Sequence, residues 1–497
     1  MSESTFAKQS PAHLFLELWA AAEAFSPHIL LDPGATVDPR FPIKLNAALS
    51  RDDPFAAAEA AYQLIYTNGD GTVRAPEVIV AIQVIDQLFL RIHPRAVVAL
   101  TTRDGRNIPA WLKVLRRDRR KQAYYARKDG RQLIARGPLM RTNRTAYASS
   151  GASLADSVAS LAVVSLDLQH EGRPIQVIHS IIDNSLDEGV ARLKGTSTGS
   201  ESVLCVPILE KFSELCCAER VSASNTFVRY SPHETVNSAD RILQSLEAHG
   251  QPVDIVVAPE LVMSSQQVVA LSDGLGLRRT QRMTSLVLAG SGNVEQAGES
   301  LPFNEMSVLN AIGAVLWKQR KLWTAGVNPV RAGKFGVATD ASGPIFEDNC
   351  CAAQVQVVDA DELGRCIVLI CQDVQSDPLV LELIRQYQPD WVFVPILDRD
   401  IGSGNWIHQR AWALSAISPA RFVVANSAAL YEEQDPPPES VCALMVGPAR
   451  DDEFERAHAT LRASRSQSPM RTHIQWRNAK DDRWQQTTVG STAPKIS

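Results

Sequence analysis

Cysteine is scarce and unevenly placed in this chain of 497 residues. All eight cysteines lie between Cys205 and Cys442, and the first 200 residues hold none. Cys216 adjoins Cys217, Cys350 adjoins Cys351, and no two cysteines have CxxC spacing. That is a poor disulfide framework and a poor zinc site. No metal and no cofactor is expected, and a reducing cytoplasm is the simplest location. Long apolar runs are also missing. None approaches the roughly 18 residues a membrane span needs, so no membrane role is expected. The opening "MSESTFAKQSPAHLF" lacks a basic region followed by an apolar one and does not read as a signal peptide. Charge of one sign is not in large excess either. A net charge of −5 argues against a surface built wholly for nucleic acid.

What is present divides the chain into two textures. "PAHLFLELWAAAEAF", "PFAAAEAAYQLIY" and "APEVIVAIQVIDQLFLRIH" repeat apolar residues at helical spacing, the last with Pro76 near its start. Residues 113–136 carry ten Lys or Arg, with Tyr124 and Tyr125 interleaved. Those residue types contact phosphates and stack on bases. A solvated helix face has the same composition, and no nucleic-acid fold signature accompanies it. "SLAVVSLDLQ" and "RPIQVIHSII" read as strands, and 193–202 as a Gly/Ser/Thr-rich linker or long loop. Residues 1–200 are therefore expected to form a largely helical domain.

From Val203 onward, short Val/Ile/Leu runs alternate with helical patterns: "VDIVVAPE", "TSLVLAGSGN", "RCIVLICQD", "DWVFVPIL", "RFVVANS". Buried strands interleaved with helices indicate an α/β domain, here spanning 203–450. In such sheets ligands meet the carboxyl ends of strands. Three of these runs end on reactive side chains: Glu260, Cys371 and Asn426. Residues 451–497 read as an extension with a hairpin turning at "NAKDD" and a disordered end.

A nucleophilic cysteine needs a base for its proton and a donor for the oxyanion it creates. Glu260 follows Pro259 at a strand end, Lys321 sits in "WKQRKLW" after an apolar run, and Cys371 closes "GRCIVLICQD". In this order the segments "DIVVAPEL", "QRKLW" and "LICQD" resemble the nitrilase, or carbon–nitrogen hydrolase, superfamily. Asn304 in "FNEMSVL", Gly313 before the lysine run, and "WIHQRAWALSAISPARFVVANS" extend the resemblance over about 203–450. It implies a four-layer α-β-β-α sandwich and an amidase-type reaction. Cys371 would be the nucleophile, Glu260 the general base and Lys321 the oxyanion stabiliser, with Lys321 also favouring thiolate. It further implies a small-molecule amide or nitrile substrate and a homodimer, for which the apolar stripe of "PLVLELIRQYQ" is a candidate face. The family often carries a second glutamate between the Lys and the Cys. Glu347 in "PIFEDN" is the candidate, although its local match is poor. Gln372 stands where the family usually has an aromatic, and the first 200 residues resemble nothing known.

Each residue also has a plain structural reading. A cysteine in an apolar strand is usually inert core, as Cys366 is expected to be. Glu260 reads equally as a helix cap, Asp373 as the residue that orients the turn after Cys371, and Lys318 competes with Lys321. His408 near Trp406 suggests a Cys/His pair, but a lone histidine is more often a surface or satisfied residue. Three functions follow. The first is a cysteine hydrolase of C–N bonds with a thioester intermediate. The second is a non-catalytic, regulatory module whose N-terminal half binds nucleic acid or protein. The third is an acyltransferase that passes the acyl group to an amine. Specificity is expected to come from loops such as 323–344.

Overall fold

A computed structural model of the chain describes residues 9–26, 37–66, 74–94, 108–137, 154–182, 201–222, 225–327, 329, 333, 337, 343–360, 363–402, 404–418, 420–430, 441–449, 457–464, 472–476 and 484–488. Most of the expected linker 193–202, the "NAKDD" turn, the chain end and much of loop 323–344 lie outside them. The chain divides into two compact units. The first is Met1–Leu168 with His179–Ile181 and Arg385–Gln388, and the second is Gln169–Ile178, Ile182–Ile384 and Pro389–Ser497. No helix among the described residues is long and apolar enough to cross a membrane.

The first unit contains the helices Pro11–Ala22, Phe41–Leu49, Pro54–Tyr66, Ala75–Leu90 and Ala110–Gln122. Prolines occupy the first turn of several, where their missing N–H costs no hydrogen bond. The unit is more mixed than the helical expectation. Strands Ala126–Lys128, Arg131–Ala135 and Leu161–Ser165 form a three-stranded antiparallel sheet. The basic stretch spans one of the helices and the first two of these strands. Its charges are not one free face. Arg131 pairs with Glu23 at 2.8 Å, Lys128 pairs with Glu17, and buried Arg136 donates to the Ala155 and Val158 carbonyls. Buried Asp86 accepts from the backbone N–H groups of Ala159, Ser160 and Leu161 at 2.7–2.9 Å, fixing the start of the third strand.

The second unit is built on two large sheets. One has seven strands in the order Val315–Arg320, Phe303–Asn310, Thr284–Val294, Val253–Val257, Ser202–Cys205, Thr472–Trp476, Trp484–Thr488. The other has eight: Ala457–Ser464, Val441–Ala449, Arg421–Asn426, Trp391–Ile396, Gly364–Val368, Gln354–Ala360, Arg173–Ile182, Asp167–His170. Ser202–Cys205, Val253–Val257 and the start of Thr284–Val294 run parallel, as do Gly364–Val368, Trp391–Ile396 and Arg421–Asn426. Those central strands are buried on both faces, which explains their unbroken Val/Ile composition. Helices Ser238–His249 and Ser265–Leu277 connect the parallel strands, capped by Asn237 and Ser264 side chains. A smaller four-stranded sheet orders Gly326–Val327, Ile345–Glu347, Asn225–Pro232 and Leu215–Ser222.

On helix Leu379–Tyr387, the apolar residues Leu379, Val380, Leu383, Ile384 and Tyr387 are buried.

The two sheets meet at their strand ends. The Leu397 N–H, just past Trp391–Ile396, donates to Glu260 Oε2 at 3.1 Å. A bulge in Thr284–Val294, between Leu288 and Ser291, holds the loop that carries Glu260. Ser291 N donates to the Pro259 carbonyl at 3.1 Å, and the Ser291 carbonyl accepts from Val262 N and Met263 N at 2.8 and 3.0 Å. The backbone comes so close that a Cβ on Gly292 would fall on the Met263 carbonyl. Gly292→Ala is expected to cost roughly 1–3 kcal/mol by overpacking, seen as a Tm lower by several degrees in thermal denaturation.

Candidate active site

Glu260 stands three residues beyond strand Val253–Val257, and Leu261 after it turns with φ 57°. The next helix is capped by Ser264, so Glu260 is not its cap. It is buried, and its carboxylate is surrounded by donors. Oε1 accepts from Asn304 Nδ2 at 2.9 Å and from Lys321 Nζ at 2.7 Å, and Oε2 accepts from the Leu397 N–H.

Lys321 follows the hairpin of Phe303–Asn310 and Val315–Arg320, which turns at Gly313 with φ 88°. Its backbone N–H donates to the Asn304 carbonyl at 2.8 Å, so the residue that contacts Glu260 also sets the register of its lysine partner. The ammonium is buried and also lies 2.7 Å from Glu347, whose Oε2 accepts from Ala325 N at 3.0 Å. Lys318 points elsewhere: it is half exposed and pairs with Glu305 at 2.8 Å. Glu347 is therefore beside the lysine despite its poor local motif. Its position between Lys321 and Cys371 was the usable signal.

Cys371 lies three residues past strand Gly364–Val368, as the first residue of the 3-10 turn Cys371–Gln375. Its φ is 52°, in the left-handed region that costs an ordinary residue about 1–2 kcal/mol. Backbone strain of this kind persists where surrounding contacts over-determine it. Asp373 supplies them. Its carboxylate accepts from Ile370 N at 3.2 Å, from Leu322 N at 3.0 and 3.1 Å, and from Trp323 N at 3.0 Å. One side chain thus ties the cysteine turn to the residues directly after Lys321, a wider task than orienting its own turn. The thiol and the Glu260 carboxylate act on one another electrostatically. Cys366 is wholly buried inside its strand, as expected.

The electrostatics assign protons. Burial raises the Glu260 carboxyl above its usual range, with the Lys321 ammonium pulling against it. Lys321 is held well above the ordinary lysine value, because the two carboxylates outweigh its burial. Burial and the Glu260 charge push the Cys371 thiol well up, and the lysine does not compensate. Lys321 favours thiolate, as expected, but burial and the Glu260 charge outweigh it, so the resting thiol is neutral. Burial lifts Asp373 to about 7, opposed by Lys321 and its three amide donors.

Asn426 does not reach into this cluster; it braces it. It accepts from Asp398 N at 3.0 Å and donates to the Asp398 carbonyl at 2.9 Å. Asp398 in turn accepts from Trp406 Nε1 at 2.7 Å, and its charge acts on Cys371. His408 stands on helix Trp406–Ala416 with its ring 6.3 Å from that of Trp412. No group of His, Cys, Asp and Glu suited to a metal ion occurs among the described residues.

Asp373→Asn is expected to slow alkylation of Cys371 while leaving the fold cooperative, since an amide presents one acceptor atom where the carboxylate presents two. Cys366→Ala is expected to lower Tm but spare the Cys371 reaction. Thermal denaturation together with the rate of Cys371 alkylation by iodoacetamide checks both.

No family model matches the chain, and no curated protein matches it. Solved structures do. It is similar to the C. elegans NitFhit protein at 14% identity, over 54% of this chain and 62% of that one, with a TM-score of 0.33. The chain thus spans less than two thirds of NitFhit. It is similar to Saccharomyces cerevisiae Nit3, a member of branch 10 of the nitrilase superfamily, at 14% identity over 54% of this chain and 92% of that one, with a TM-score of 0.34. An amidase from Nesterenkonia sp. gives 14% identity over 54% and 92%, with a TM-score of 0.32. Similarity at this level assigns no residue a role. It consists of matches to nitrilase-superfamily structures over about 54% of the chain, with the N-terminal part unmatched.

Proposed function

We propose that the chain is a cysteine hydrolase of non-peptide C–N bonds, acting on a small amide through a thioester. The supporting observation is the buried Lys321 ammonium, 2.7 Å from both Glu260 and Glu347, beside a Cys371 held at positive φ. The reading carries with it the stacking of the two large sheets between helix layers, a homodimer and a cytoplasmic location. The first two come from the resemblance to the nitrilase superfamily, and the location from the cysteine usage.

The chemistry uses each group once per half-reaction. Cys371 Sγ attacks the amide carbon as its proton passes to Glu260, and the carbonyl oxygen becomes an oxyanion beside Lys321. Collapse breaks the C–N bond, and Glu260 gives the proton to the departing amine. Water then attacks the thioester, losing a proton to Glu260. The second oxyanion collapses, the C–S bond breaks, and the proton returns to sulfur. Because the resting thiol is neutral, a base within hydrogen-bonding reach matters more than a low thiol pKa. Glu347 holds Lys321 without entering the proton path. Asn304 and the Leu397 N–H orient the Glu260 carboxylate.

Cys371→Ala should abolish turnover and keep the fold. Glu260→Gln should be as severe, since the amide cannot take the proton. Lys321→Ala should cost about 10²–10³ in rate as an oxyanion donor is lost. It should also destabilise the fold, because two buried carboxylates lose their cation. The three effects should not add. The reaction needs ionised Glu260, whose pKa is raised from 4.5 by burial. The kcat/KM should therefore fall as pH drops through a value above that of an ordinary glutamate. A panel of amides and nitriles, with intact-mass detection of an acyl adduct on Cys371, tests the reading. It fails if the wild type turns over none of them and iodoacetamide labels Cys371 no faster than the Glu260→Gln variant. Transfer of the acyl group to added amines in preference to water would make the chain an acyltransferase.

A further inference from the structure

The seven residues from 167 to 173 precede the hydrolase half in sequence, yet His170 and Arg173 belong to the second unit. They flank a two-residue turn between strands Asp167–His170 and Arg173–Ile182. Its members, Glu171 and Gly172, have φ 47° and 76°. Two successive left-handed residues make the tight hairpin turn whose flanking residues pair directly across the strands. Paired residues put their side chains on one face of the sheet. His170 and Arg173 therefore project together.

Both meet Trp323. The His170 ring stands edge-on to the indole, with centroids 4.9 Å apart at 87°, and the Arg173 guanidinium lies 5.3 Å from the indole centroid. Trp323 is two residues from Lys321, and its backbone N–H is bound to Asp373, two residues from Cys371. The cluster therefore borders the reactive groups. His170 is only 7% exposed, yet its Nδ1 has no hydrogen-bond partner among the described residues. A buried ring nitrogen left unpaired costs free energy and is an opening for a ligand atom. Arg173 is half-buried over the indole, where a guanidinium keeps its edge N–H groups free for an oxoanion.

We propose that His170, Arg173 and Trp323 form a subsite for a carboxylate on the substrate, so that the preferred amides are anionic. This rests on the hydrolase reading of Cys371. Arg173 meets the carboxylate as a charged donor, His170 Nδ1 meets it as a neutral partner, and the indole packs the intervening methylenes. His170 and Arg173 are specificity-determining residues; neither touches the scissile bond.

The test separates binding from turnover. The Cys371→Ala protein is titrated by calorimetry with the monoamides of succinic, glutaric and adipic acids, and with butyramide, valeramide and hexanamide. At least one anionic amide should bind tenfold or more tightly than its neutral counterpart. Arg173→Met in the same background should erase most of that ratio, and Arg173→Lys should restore part of it. His170→Phe, which keeps a ring against Trp323 and removes Nδ1, should reduce the ratio several-fold. Circular dichroism and Tm establish that each variant is folded, a readout that a merely structural role would move without changing the ratio. The subsite is overturned if no anionic amide outbinds its neutral partner, or if the preference survives in folded Arg173→Met. Anion-selective binding without turnover in the wild type would sink the hydrolase reading and leave the subsite. Turnover of neutral amides without anion selectivity would do the reverse.

Discussion

The buried Lys321 ammonium is the contact on which the site depends. It is only 2% exposed and is shared at 2.7 Å between Glu260 and Glu347. Two carboxylates with no cation between them would not both stay ionised in so dry a place. The lysine charge acts against the burial that raises the Glu260 carboxyl. An ammonium has three N–H groups. The two carboxylates share them. The ion cluster positions these groups more than it stabilises the fold, since buried ion pairs often fail to repay their desolvation.

That geometry is assembled from three chain segments, each held by backbone contacts and not by the charges alone. The Ser291 bulge grips loop 259–263, the Gly313 hairpin delivers Lys321, and Asp373 fastens the Cys371 turn to Leu322 and Trp323. The unfavourable φ of Cys371 and the buried charges are costs borne at one place, while the closely packed Val/Ile strands behind them supply the stability.

Much of this was legible in the sequence. Continuous apolar runs gave away the strands of the second unit, and the strand-end residues Glu260 and Cys371 stood out because reactive groups interrupt otherwise apolar runs. What was not legible came from contacts distant in sequence. Glu347 joins Lys321 through a short strand in another sheet, which no local pattern encodes. The role of Asp373 depends on three amides, two of them some fifty residues away. The stripe on Leu379–Tyr387 was legible as apolar, but periodicity does not say what covers a face. The resting protonation of Cys371 required knowing its burial.

The hairpin at Glu171 and Gly172 shows how a fold can set a charge preference. Around Cys371 the acids Glu260, Glu347 and Asp398 push the thiol up, and Lys321 pulls it down. Such a field favours the neutral thiol and repels an anionic ligand that approaches the acids directly. A carboxylate-bearing substrate would need its charge held away from the acids while its amide reaches sulfur. A cation on a separate strand, stacked on an indole whose backbone is already tied to the cysteine turn, provides that separation. Placing Arg173 on the hairpin instead of beside Lys321 keeps the proton path between Cys371 and Glu260 undisturbed, so recognition and chemistry can be tuned by different segments of the chain.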